Sequence, residues 1–279
     1  MITARPAKTA PSDLSSSPEP NLKQRTVIVR VGQVGKPLVV FVLAVALWQI
    51  LVDTKALPSF EVASPTQTAS YMGSHGSLLV SNTATTAEEV ILAFAIALVS
   101  GVVLATLINQ FKVLEESVLP LLVVSQVIPS IAIAPLLVLL LGFGLAPKVV
   151  VGVIISFFPI LVNTLAGLKS VDADTASLSR ALGTPPLRNL RLFTLPSALP
   201  YIFAGARVAV TLSVIGAVVG EFVTAKSGLG FLVLQGSSQI DPPLMFSALV
   251  VLAGMGIILF SLVRIVEYVA VPWVRIRKQ

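Results

Sequence analysis

Catalytic side chains are scarce in this sequence. There is no cysteine, which removes thiolate nucleophiles, thiolate metal sites and disulfides. The single histidine, His75, cannot by itself build a histidine-rich metal centre. No segment has the G-x-x-x-x-G-K-S/T spacing that cradles a nucleotide phosphate, and the pairs Gly142/Gly144 and Gly228/Gly230 read as turns. No cofactor is therefore expected on this chain. What the sequence does offer is a basic, partly apolar stretch between two long apolar runs. In it Leu187 and Leu190 share one helical face, and Arg188 and Arg191 another. That pattern suits docking without covalent chemistry, either into a groove on a partner protein or onto anionic lipid.

The stretch, residues 169–198, reads as two short helices. Asp172 caps the first, Asp174 suits its positive end, and Gly183 stops it. Thr184 is expected to cap the second, with Pro185 at its first turn, and Leu195-Pro196 to close the loop ahead of the fifth span.

The elements around it are apolar and long. Hydrophobic residues make up 55% of the chain and charged ones 11%, against roughly a quarter charged in a soluble domain. An all-α integral membrane fold is expected, because the apolar runs are continuous rather than alternating as in a barrel. About 20 helical residues cross a hydrocarbon core of about 30 Å. Six segments approach this length: 37–52, 88–108, 118–141, 148–168, 199–222 and 244–263. Thr85-Thr86-Ala87-Glu88-Glu89 holds two overlapping capping boxes, which would begin the second span. Pro120, Pro129 and Pro135 predict a kink or break in the third, near Ile128-Pro129. Residues 1–36 form a Pro/Ser/Thr-rich tail expected to be disordered, 37–274 the membrane domain, and 275–279 a basic tail.

Of the 19 Lys and Arg residues, Arg207 lies in a span and Lys55, Lys148 and Lys226 fall on one side of the bilayer. The other fifteen fall on the opposite side, which the positive-inside rule makes cytoplasmic. Both termini and the basic stretch are then inside, in a plasma (inner) membrane. The net charge of +6 is explained by this inner rim and gives no nucleic-acid signal, since no basic run alternates with stacking aromatics.

Polar residues inside spans are costly and need a reason. Gln126, Pro129, Asn163 and Glu221 are the candidate pathway or gate residues. Helix–helix hydrogen bonding competes as the role of Gln126 and Asn163, and an ordinary interfacial position as that of Glu221. Arg207 is expected to pair with a nearby acid or carbonyl, and His75 to be solvated. Gly101, Gly205 and Gly216 read as close-packing positions.

The basic stretch resembles a known motif. Arg180-Ala181-Leu182-Gly183, nine residues, then Phe193-Thr194-Leu195-Pro196 is similar to the EAA loop of binding-protein-dependent ABC importer permeases. That pattern is E-A-A-x-x-x-G, nine residues, I-x-L-P; here Ser177-Leu178-Ser179 stand at the Glu-Ala-Ala triplet and Phe193 at the isoleucine. Pro135 to Gly144, Phe157-Phe158-Pro159-Ile160 with Asn163, Leu195 to Arg207, and Ser227-Gly228-Leu229-Gly230 resemble the nitrate/sulfonate/taurine branch, which includes permeases for thiamine-precursor pyrimidines and riboflavin. The resemblance covers about residues 37–274 and implies a type I ABC importer fold with six spans.

It further implies that Thr184 to Leu192 is a coupling helix docking a cytoplasmic ABC ATPase, which carries ATP and Mg. The implied coupling-loop residues are Arg180, Gly183, Thr184, Pro186, Leu187, Arg188, Leu190, Arg191, Leu195 and Pro196. An extracytoplasmic substrate-binding protein and a second permease subunit, by preference an identical one, complete the implied assembly in membrane lipid. Two rival classes fit less well. A secondary transporter would show internal repeats or paired broken helices, and only one strongly Pro-interrupted span is present. A membrane-embedded enzyme would want convergent acids, bases or metal ligands within spans.

Overall fold

In the computed structural model residues 22–273 are described, apart from 57, 59, 60 and 225 and the side chains of 22–35, 173, 176 and 180. Both tail expectations for 1–21 and 275–279 fall outside them. Every regular element among the described residues is helical. Five helices are long and apolar enough to cross a membrane, or six if one bent pair counts as a single span.

The chain divides into two units, Met1–Ile50 and Leu51–Gln279. The first holds most of α1 (Leu22–Asp53), whose Lys36–Asp53 part is apolar enough to span. Residues 22–36, expected within a disordered tail, are helical here. Once a span has formed, each added residue gains a hydrogen bond without a new nucleus, and Pro37 forfeits only one.

The second unit starts with α2 (Pro65–Ser74) and α3 (Gly76–Gln110). The capping box lies at Ser64, which accepts from the Gln67 N–H while the Gln67 side chain accepts from the Ser64 N–H. The boxes expected at Thr85 and Thr86 are not helix starts. Both residues lie inside α3, where no proline or turn interrupts 76–110, and Thr85 returns its hydroxyl to the Ser81 carbonyl.

The third apolar run is two helices, α4 (Lys112–Ser125) and α5 (Ser130–Leu141), bent by 98°. The break falls where the sequence places it. Pro129 has no N–H to continue α4, and the N–H groups of Gln126, Val127 and Ile128 tighten onto carbonyls three residues back. At about 1.5 Å per residue, each half is about 20 Å long and cannot cross the bilayer alone.

Next come α6 (Leu145–Lys169), α7 (Ala173–Ala181), α8 (Pro186–Asn189) and α9 (Leu195–Thr224). A short α10 (Leu229–Ser238) and α11 (Pro242–Ala270) complete the unit. The long helices outrun the apolar runs because hydropathy marks only the part that meets lipid.

Helix α6 packs along both α9 and α3 at the centre of this unit. Lipid gives helices no hydrophobic reason to associate, so close van der Waals packing must do it. The glycines supply that closeness. A Cβ on Gly216 would lie 2.5 Å from the Gly152 Cα, one on Gly205 2.9 Å from the Pro159 carbonyl, and one on Gly101 2.8 Å from Ile160. The packing role expected for these three glycines holds. Toward one end, Ile108, Leu161, Leu165, Leu168, Ala198 and Ile202 form one core; toward the other, Leu79, Val90, Leu229, Leu232, Leu244 and Ala248 form a second.

Candidate functional site

The basic stretch folds as a compact knob at the end of α6. Gly183 takes φ +60, and the Thr184 N–H reaches back to the Ser179 carbonyl, closing α7 as its sequence predicts. The buried Ser179 hydroxyl donates to Asn189 Oδ1 at 2.8 Å, tying α7 to α8. Three sequence expectations are corrected here. Thr184 lies one residue before the cap, which is Pro185, with Pro186 at the first turn. A proline whose N–H is absent anyway fits that position without a side-chain cap.

Leu195-Pro196 also does not separate the loop from the fifth span, because the second helix runs on. It passes through a π-helical turn, Leu190–Thr194, directly into α9. Pro196 sits in the first turn of α9, where its missing N–H costs little. Finally, Leu187 and Leu190 do not share a fate. Leu187 is 77% exposed, whereas Leu190 packs against the core of Ile108 and Leu168. The knob thus presents Leu182, Pro185, Pro186, Leu187, Arg188 and Arg191 outward. The Arg180 side chain lies outside the described residues. Beside the knob, Lys169 at the end of α6 pairs with Glu115 in α4.

Continuous helix joins α8 through the π turn to α9, and α9 packs along α6.

The four candidate pathway residues are not brought together. Gln126 and Pro129 are exposed at the α4–α5 break. Asn163 is half-buried and donates to the Pro159 carbonyl of its own helix at 2.8 Å. Glu221 is 1% exposed, enclosed within the protein.

Glu221 belongs instead to a buried polar cluster that the sequence reading missed. Thr86 donates to Glu221 Oε1 at 2.7 Å, and the Gly230 N–H donates to Oε2 at 2.5 Å. The Leu229 N–H donates to Thr86 at 2.8 Å, and the Gly228 N–H to Asn82 Oδ1 at 2.6 Å. Three successive N–H groups at the start of α10, orphans in any helix, are satisfied by side chains of α3 and α9. Gly228 takes φ +115, and a Cβ there would sit 2.0 Å from Glu221 Oε1. Beside this cap, Lys148 of α6 meets Glu89 of α3 at 2.5 Å, both buried. One signal was available: Asn82, Thr86 and Glu89 follow i, i+4, i+7 and so line one face of α3. The expected pairing of Arg207 is met by Glu267 at 2.9 Å.

With this geometry in hand, comparison with known proteins is direct. The family described as "Binding-protein-dependent transport system inner membrane component" matches residues 97–275. The chain belongs to that family. This permease is 35% identical over 225 residues to a probable ABC transporter permease protein of Haemophilus influenzae, covering 81% of this chain and 92% of that one. It is 34% identical over 242 residues to the formylaminopyrimidine transport permease protein ThiX of Halalkalibacterium halodurans, covering 86% and 96%. It is also 34% identical over 241 residues to the riboflavin transport system permease protein RibX of Chloroflexus aurantiacus, covering 86% and 90%.

Among solved structures, an inward-facing form of the MetNI methionine ABC transporter superposes with a TM-score of 0.61 at 22% identity, covering 71% of this permease and 96% of that chain. The permease therefore has the type I ABC importer fold, and it serves as the membrane component of an ABC importer.

Proposed function

We propose that the α7–α8 knob is the seat of a separate cytoplasmic ABC ATPase, which holds ATP and Mg and does the hydrolysis this chain leaves to it. The observation that carries this reading is the continuous helix from Pro186 to Thr224, with an exposed Leu187 and two arginines at its tip. A mobile tail binding the same partner would dissipate force; this rod transmits it. ATP-driven closure of the ATPase pair then rocks the spans between inward-open and outward-open states, provided ATP favours one of them. Residues Gly183, Thr184, Leu190, Leu195 and Pro196 hold the rod in place, while Pro186, Leu187, Arg188 and Arg191 touch the partner.

In this assembly two copies of the permease line the path, an extracytoplasmic binding protein delivers the solute, and both termini face the cytoplasm. The solute is a small neutral heterocycle of the pyrimidine or flavin kind. Two relatives carry such names, and Lys148 and Arg207, the cations set among the helices, are already neutralised by Glu89 and Glu267.

Co-purification tests the docking claim. Wild-type permease should bring down its ATPase and support ATP-driven uptake. Leu187→Asp with Arg188→Glu should insert normally yet lose both. Normal uptake by the double variant removes the coupling role from this knob. For the solute, binding of riboflavin, formylaminopyrimidine and taurine to the partner binding protein separates the classes; a preference for taurine contradicts the neutral heterocycle.

A further inference from the structure

The seam between α9 and α11 is open along much of its length and changes character from one end to the other. Toward the end of α11 lies a cavity of about 550 Å³ lined by Arg207, Ser261, Arg264, Glu267 and Tyr268. One turn further along both helices begins a groove of about 610 Å³, whose lining includes Ile215, Phe222, Leu252, Ile257 and Phe260, with Thr211 its one polar side chain. Arg207 and Thr211 are one turn apart on α9, as are Ser261 and Ile257 on α11, so the two spaces share the same helical faces.

The charges at the polar end do not cancel. Arg207 and Glu267 neutralise each other at 2.9 Å, whereas Arg264 takes part in no ion pair among the described residues. Tyr268, which lines the same cavity, is exposed, an aromatic expected where a span meets the headgroup layer. From Ile265 to Ala253 the seam runs twelve residues, about 18 Å at the helical rise, close to the roughly 15 Å depth of one leaflet of hydrocarbon. The apolar limb is also empty of the protein's own atoms. A Cβ built on Gly256 meets nothing within 4 Å.

We propose that this seam is a site for one anionic phospholipid, with its phosphate against Arg264 and an acyl chain laid along the groove past Gly256. Among the described residues, an uncompensated cation at the headgroup end and an apolar groove behind it complement an amphiphile.

Native mass spectrometry of the full chain in detergent, reloaded in parallel with phosphatidylglycerol or phosphatidylcholine, tests this. The wild type should retain one phosphatidylglycerol, and phosphatidylcholine more weakly. Arg264→Gln should lower phosphatidylglycerol retention about tenfold, the loss of one charge-assisted contact. Gly256→Leu, whose new side chain enters open space, should displace lipid of both kinds while elution volume and oligomeric mass stay as in the wild type. Retention unchanged in both variants overturns the proposal. So does a wild type that holds no lipid and loses a subunit on Gly256→Leu, which would make the seam an interface between copies.

Discussion

Replacing Thr86 by valine asks whether the start of α10 is held by side chains from other helices. The exchange keeps shape and removes one buried hydroxyl, which donates to Glu221 Oε1 at 2.7 Å and accepts from the Leu229 N–H at 2.8 Å. The Leu229 N–H is then buried without a partner, at about 1–3 kcal/mol, and the Glu221 carboxyl loses its Thr86 donor at about the same cost. Some of this is recovered by relaxation, so a net local loss of about 3 kcal/mol is expected, or about a hundredfold in the opening equilibrium. Where reclosing is fast, amide exchange follows that equilibrium. Hydrogen exchange of peptides covering residues 228–234 should therefore accelerate about a hundredfold, with α6 peptides little changed. Thr83→Val is the control, since the Thr83 hydroxyl goes to the Leu79 carbonyl of its own helix. If protection in 228–234 shifts less than threefold, or shifts equally in the control, the cross-helix cap does not hold α10.

Other expectations rest on neighbouring features. Gly216→Val drives a side chain into the Gly152 backbone, which cannot yield, so it should cost about 1–3 kcal/mol or more and lower the unfolding midpoint in detergent. Gly254→Ala, which meets nothing within 4 Å, should leave that midpoint unchanged or raise it by up to the equivalent of about 1 kcal/mol. Lys148→Met strands the buried Glu89 carboxylate and should destabilise by about 3–5 kcal/mol, while adding Glu89→Leu should recover most of the loss in the same assay. A double variant as unstable as Lys148→Met alone would show that packing, not charge, is what the lysine supplies.

The parts that could be read from the chain are those where the cause is local. Pro129 breaks its helix because of its own missing N–H, and Gly183 ends α7 because of its own backbone freedom. Gly216 and Gly205 were legible as packing positions because small residues in a span have few other uses. What escaped depends on partners far away in sequence. Thr86 and Glu221 are 135 residues apart, and Gly228 and Asn82 are 146 apart, so no local pattern announces either bond. Thr85-Thr86-Ala87-Glu88-Glu89 reads as a helix start, yet a threonine in mid-helix bonds its own backbone just as well and leaves the same sequence. Leu187 and Leu190 lie three residues apart and look equivalent, but only the fold shows that the Ile108–Leu168 core claims one of them.

The account turns on which side of the membrane the α7–α8 knob occupies and whether another protein covers it. The absence of cysteine makes this measurable without background. With Leu187→Cys as the sole thiol, a membrane-impermeant maleimide should label inside-out vesicles and leave intact spheroplasts unlabelled. Added ATPase subunit should then protect the thiol. Labelling of intact spheroplasts, or labelling in vesicles that the ATPase leaves untouched, would contradict the central claim.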